Sequence, residues 1–196
     1  MNTHVTRTIS RCFGSLRQLR TIRRSVPGLT FQSLVVSLVL SRLDYGNATL
    51  VGLPAFQYRR LQSVMNAGAR LIFDAASREH VTPLLHQLHW LRAEQRVTYK
   101  IETLTYQCLH GSAPRYLADS LQLISNLPSR TRLRSSSSTS LLVPRTHLKS
   151  VGDRAFSAAA SKILNDLPSA ITSATSLTAF KKSLKTHLFR ISFPSA

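Results

Sequence analysis

Apolar residues recur every three or four positions along most of this chain, the period of helices with one buried face. From Val5 onward, Ile9, Cys12, Phe13, Leu16 and Leu19 share one side of a first helix, which Pro27 and Gly28 end. A second apolar helix runs from about Leu29 to Leu43, and Gly46, Asn47, Gly52 and Pro54 mark a break or a loosened end. Pro54 suits the first turn of a third helix whose buried seam is Tyr58, Leu61, Met65, Gly68 and Ile72. Three such helices in succession predict a small bundle.

The remainder reads the same way. Thr82 and Pro83 form a cap and first-turn proline for the short segment LLHQLHW, with Trp90 and Leu91 buried beside it. Val97, Ile101, Leu104 and Cys108 give a longer amphipathic helix that stops near Gly111, and Pro114 opens another through Tyr116, Leu117, Leu121 and Ile124. Between Asn126 and Ser140 the composition turns to Ser, Arg and Thr, which is the signature of a linker or exposed loop. A short strand-like LLVP follows, then a helix capped by Asp153 that exits at Asn165 to Pro168, and a last helix carrying Leu177, Phe180, Leu184 and Leu188. The expected fold is therefore all-α: a helical bundle over residues 1–76, a helical connection over 77–125, a basic linker over 126–150 and a C-terminal helical segment over 151–196.

Charge narrows the choice of partner. Lys and Arg number 26 against 8 Asp and Glu, a formal +18 over 196 residues, while a hydrophobic content of 43% is that of a folding chain. So large an excess favours a polyanion, and RNA, DNA or their hybrid comes first. A membrane partner is not expected, because the longest apolar run, Leu34 to Leu40, is interrupted by Ser37 and falls far short of the roughly 20 residues a spanning helix needs. Met1 to Thr8 lacks the apolar core of a secretory signal, and two cysteines, Cys12 and Cys108, suit a reducing compartment, so a nuclear or cytoplasmic site is expected.

The basic residues carry the functional signal. On the first helix Arg7 and Arg11 point away from the apolar face, Arg17 and Arg24 flank it, and Arg20 and Arg23 lie nearer to it and must snorkel. On the third helix Arg59, Asn66 and Arg70 recur at helical spacing as one polar stripe with Arg60 beside it; guanidinium groups there can grip phosphates, and Asn66 can donate to a sugar or base edge. Arg130, Arg132 and Arg134 alternate in the linker, followed by Arg145 and Lys149, a pattern that suits tracking along a backbone and equally describes a basic loop. For any one of these arginines a solvated surface role competes with binding; it is the set, unbalanced by acids, that points to a polyanion. The aromatic residues Phe13, Tyr58, Tyr99, Tyr106 and Phe180 fall in or near the apolar seams and are read as core rather than stacking platforms.

Catalysis is not expected. Two-metal chemistry needs converging carboxylates, whereas Asp44, Asp74, Glu79, Glu94, Glu102, Asp119, Asp153 and Asp166 are scattered. His80, His86, His89, Cys108 and His110 have donor chemistry for zinc, but their spacing matches no closed site and packing or surface roles are the better reading. No cofactor is called for.

Several strings in one order carry a family resemblance: RCFGSLRQLRTIRRS, SRLDYGNATLVGLP, LQSVMNAGARLI, LHWL, LLVPRTHLKSVGDRAFSAAASKILNDLP and SLTAFKKSLKTHLF. Together they resemble the region that follows the polymerase palm in non-LTR, LINE- or jockey-like retrotransposon reverse transcriptases. That resemblance covers nearly the whole chain. Gly46 stands where family members often carry Cys, Arg92 where proline usually follows His-Trp-Leu, and Ser161 and Leu164 where a proline and a tryptophan are usual. The resemblance implies a thumb-like bundle that closes on template-primer duplex, a C-terminal region that helps engage RNA and DNA, and a catalytic centre in a palm this chain does not contain. Without that palm, the seam of the first helix and the Leu34–Leu40 run are expected to stay partly uncovered and to favour self-association. The alternative is a basic helical protein-interaction module that meets acidic partners, with incidental affinity for nucleic acid.

Overall fold

A computed structural model describes residues 2–126, 140–148 and 152–194. They form an all-α fold of ten α-helices among the described residues: α1 (Asn2–Ile22), α2 (Gly28–Val35), α3 (Ser41–Asp44), α4 (Ala55–Phe73), α5 (Thr82–Gln87), α6 (Ala93–Leu109), α7 (Arg115–Ala118), α8 (Phe156–Asp166), α9 (Ser169–Thr172) and α10 (Leu177–Ser192). Contacts divide the described residues into two compact units, one within 1–47, 53–96 and 192–196, the other within 48–52 and 97–191.

In the first unit α1, α2–α3 and α4 pack on one another. Val5, Ile9, Cys12, Leu16 and Leu19 of α1 are buried against Leu61, Val64, Met65 and Ile72 of α4 and Phe31, Val35 and Leu43 of the intervening segment. The seam expected to remain open is thus covered by its own bundle. Of the second apolar stretch Leu29 stays outside, 83% exposed, and Val36 and Leu38 of the Leu34–Leu40 run are partly uncovered. Gly68 makes the close packing possible: a Cβ there would sit 3.3 Å from Val35 Cγ1, with Trp90 and Leu16 next in line.

The second helix differs from the sequence reading in two ways. Gly28 opens α2 instead of ending α1, which tightens into a 3₁₀ turn at Arg23–Ser25 before Pro27. Between α2 and α3 the ladder widens into a π-turn, Val36–Leu40. Ser33, Ser37 and Ser41 each turn a hydroxyl back onto the carbonyl four residues earlier, competing with the ordinary ladder, and the Cys12 thiol reaches the Val39 carbonyl at 3.7 Å. The extra residue in the turn rotates Val39 and Leu40 into the core and leaves Val36 and Leu38 outside.

The first unit continues to residue 96, beyond residue 76 where the thumb-like bundle was expected to end. α5 packs on α4, Gln62 Oε1 accepts the Ala93 N–H at 2.8 Å, and Arg96 donates to both carboxylate oxygens of Asp44 at 2.6 and 2.8 Å. His89 takes the left-handed conformation (φ 52°), which turns Trp90 and Leu91 inward as the sequence suggests. Ser192 and Phe193 also belong here: Phe193 is buried, edge-on to His86, with the Arg92 guanidinium 5.6 Å from its ring centroid. Asp44→Ala is expected to lower stability by about 2 kcal/mol, measured as a shift in denaturant midpoint, because a paired, partly buried guanidinium loses both its acceptors.

In the second unit Val97, Ile101 and Cys108 of α6 and Phe180, Leu184 and Leu188 of α10 are buried, and Gly111 (φ 69°) ends the α6 segment as expected. Tyr106 stacks on Phe180 at 4.4 Å and donates its hydroxyl to the Ala174 carbonyl at 3.0 Å. The helix drawn from Pro114 to Ile124 stops at Ala118. The expected LLVP strand is reduced to an isolated bridge between Leu123 and Leu141, because Asn165 of α8 takes the second strand's place: its side chain accepts from Leu141 N–H at 2.9 Å and donates to Leu141 O at 2.8 Å. Asp153 does not cap α8. It lies in a 3₁₀ turn, Gly152–Arg154, and accepts the Thr146 hydroxyl, while Ala155 holds the cap position. A Cβ on Gly152 would approach Thr146 Cβ to 2.6 Å, so glycine is required at this crossing.

Glu102 is the anomaly of this unit. Its side chain is fully buried on α6, and neither carboxylate oxygen has a hydrogen-bond partner among the described residues. Burial pushes its carboxyl up to about 9, so at neutral pH it is held as the acid.

Candidate nucleic-acid interface

One edge of α1 presents Phe13, Arg17 and Arg20 at intervals of four and three residues, and Arg24 continues this ridge from the 3₁₀ turn that follows the helix. Facing it are Ala67, Arg70, Leu71 and Asp74 from the last turns of α4. Between the two lies a groove of about 750 Å³, whose lining includes five arginines and one aspartate. The groove belongs wholly to the first unit.

The five arginines divide into two kinds. Arg23 is committed to structure: its Nε donates to Leu71 O at 3.1 Å, its Nη2 to Ile72 O at 2.8 Å, and its guanidinium lies 4.9 Å from the Phe31 ring centroid. It thereby covers two of the carbonyls left over at the end of α4 and neutralises the negative pole of that helix, which would otherwise repel an anion in the groove. Arg70 is partly committed, donating from Nη2 to Glu79 O at 3.0 Å, while the Glu79 carboxylate accepts the Ala76 N–H at 2.7 Å and closes the loop after α4. Asp74, in the left-handed conformation (φ 55°), ends α4 with its N–H on Arg70 O. Arg17, Arg20 and Arg24 are exposed and make no hydrogen bond or ion pair among the described residues. The side of the groove built from α1 is therefore a row of unengaged cations, and the side built from α4 is a braced wall.

The sequence-derived residues fall as follows. Arg17, Arg24 and Arg70 meet in this groove, joined by Arg20 and Arg23. Arg7 and Arg11 lie outside it, exposed along a shallow depression of about 570 Å³ with Asn2, Thr3, Thr6 and Ser10. Arg59 is exposed near the start of α4. Arg60 is used in helix packing, donating to Thr6 Oγ1 at 3.1 Å and to Gln57 Oε1 at 3.3 Å. Asn66 faces Gln62, accepting its amide at 2.8 Å and so orienting the group that caps Ala93. The stripe of Arg59, Asn66 and Arg70 is consequently split between three tasks. Arg145 is exposed in the second unit, and Arg130, Arg132, Arg134 and Lys149 lie outside the described residues. Phe13, read as core from its spacing, is half-buried and lines the groove.

Other chemistry is not assembled around this groove. Among the described residues no group of three His, Cys, Asp or Glu side chains is placed to hold a metal ion. His110 stacks on Tyr106 at 3.8 Å, and burial pushes the thiols of Cys12 and Cys108 up, away from the thiolate. No described helix is long and apolar enough to cross a membrane. No family model, no curated protein and no solved structure matches this chain.

Proposed function

We propose that this chain binds RNA, DNA or their hybrid through phosphate contacts as the thumb-like and C-terminal part of a non-LTR retrotransposon reverse transcriptase, and that it takes no catalytic step itself. The observation that carries the reading is the groove between α1 and α4, where Arg17, Arg20 and Arg24 stand unengaged at successive turns opposite a wall held by Arg23 and Arg70. Exposed guanidinium groups in a row suit a regularly spaced polyanion, since each can pair a phosphate without first giving up a partner. Asp44, Glu79 and Asp153 are each engaged locally, and Glu102 is buried as the acid, which argues against a two-metal centre among the described residues.

Affinity for an RNA–DNA hybrid is expected to fall linearly with salt on logarithmic axes, with little dependence on sequence. Substituting Arg17 and Arg24 together with alanine should lower the slope by roughly two units, at about 0.9 per phosphate contact, and leave the helix intact because alanine is the better helix former. A titration that is flat in salt would remove this reading and favour the protein-interaction module.

A further inference from the structure

Phosphate binding alone does not account for the floor of the groove. Its rim is guanidinium, but Phe13, Leu16, Ala67 and Leu71 line it beneath, and Phe13 heads the same ridge as the three unengaged arginines. Several other buried rings are already in use: Phe31 lies under Arg23, Phe193 under Arg92 and against His86, and Tyr106 between His110 and Phe180. Phe13 makes no ring contact or cation–π contact among the described residues. An available aromatic face beside a row of cations is the pairing that single strands use, because a base has a flat apolar face on one side of the sugar and a charge on the other.

We propose that the groove takes an unpaired stretch of nucleic acid, with a base laid against Phe13 and the adjoining phosphates held by Arg17, Arg20 and Arg24. The inference rests on the phosphate reading above and adds to it the kind of strand preferred. From Phe13 to Arg20 the ridge rises roughly 10 Å at about 1.5 Å per residue, a length that a short run of nucleotides follows in the open groove. A cavity of about 750 Å³ is of the size that receives a single planar group with its substituents, whereas the stacked bases of a duplex keep their faces covered and offer the groove only their backbone. An acidic peptide supplies charge but no flat face for Phe13, so the strand is the better occupant.

The test compares oligothymidylate with an abasic strand of the same length and phosphate count, using the full chain. The thymidylate should bind roughly 5- to 160-fold more tightly, the range that stacking of one base confers. Phe13→Leu, which keeps the apolar bulk of the floor, should abolish that preference without changing affinity for the abasic strand or its salt slope, and Phe13→Trp should preserve or enlarge it. Equal binding of the two strands, each with a normal salt slope, would overturn the role of Phe13 and leave the phosphate reading standing. Loss of salt-dependent binding to both strands would overturn the phosphate reading as well. Displacement by oligoglutamate as easily as by the abasic strand, with no advantage for thymidylate, would assign the groove to acidic polymers in general and also defeat the proposal.

Discussion

Exchanging Glu102 for Gln is expected to stabilise the protein at pH 7 by about 3 kcal/mol and to remove most of its loss of stability as the pH rises toward 9. The argument begins with the unfolded chain, where this carboxyl ionises at 4.5, against about 9 in the fold. Between those values the folded state retains a proton that the unfolded state has released. Its contribution to stability is complete below the unfolded value and is lost at about 1.4 kcal/mol per pH unit as the pH rises toward the folded one, after which the loss levels off. A neutral amide of the same shape bears a similar cost of burial without a partner, so the comparison isolates ionisation. Denaturant midpoints for both proteins across this pH range are the measurement: the curves should converge near pH 4.5 and separate steadily above it. Parallel curves would show that Glu102 reaches solvent or a partner in solution.

Phe31→Ala is the second large effect, expected at about 3–5 kcal/mol of lost stability because a fully buried ring is removed from a packed bundle. This position also ties the core to the groove. Arg23 lies over the ring while capping Leu71 and Ile72, so removing the ring frees the guanidinium to swing away and exposes the carbonyl end of α4 to the groove. A double-mutant cycle with Arg23→Ala should give a coupling energy of about 1 kcal/mol, whereas strict additivity would mean that the ring and the guanidinium act independently. Urea unfolding of the two single variants and the double variant decides between them.

The helices were legible in the sequence wherever one apolar face was enough to define them. Val5 to Leu19, Leu61 to Ile72 and Phe180 to Leu188 are buried as their spacing predicts. The π-turn was not, since nothing in the spacing of Val35, Val39 and Leu40 separates a widened ladder from an ordinary one; the clue lay in three serines at four-residue intervals. Nor could Asn165 be recognised as a stand-in strand, because its role depends on Leu141, a partner distant in sequence. Of the groove arginines the sequence singled out Arg17, Arg24 and Arg70 for phosphate contact and read Arg20 and Arg23 as snorkelling beside the apolar face, and it placed Asn66 at an interface where the fold gives it Gln62. The error about Phe13 has the same root. A residue at the edge of an apolar face can turn either way, and only the position of α4 decides which.

Closure of the first unit by Ser192 and Phe193 bears on the order in which this protein can assemble during synthesis. The ring that covers His86 beneath Arg92 is made about a hundred residues after them, and the Ser192 hydroxyl that receives Arg92 N–H at 3.5 Å arrives just before it. A nascent chain can therefore pair α1 with α4 early but must wait for the whole second unit to leave the ribosome before its first unit is sealed. Until then the surface around His86 and Arg92 is open to chaperones, and a ribosome stalled anywhere before residue 193 holds a bundle that still lacks this cover.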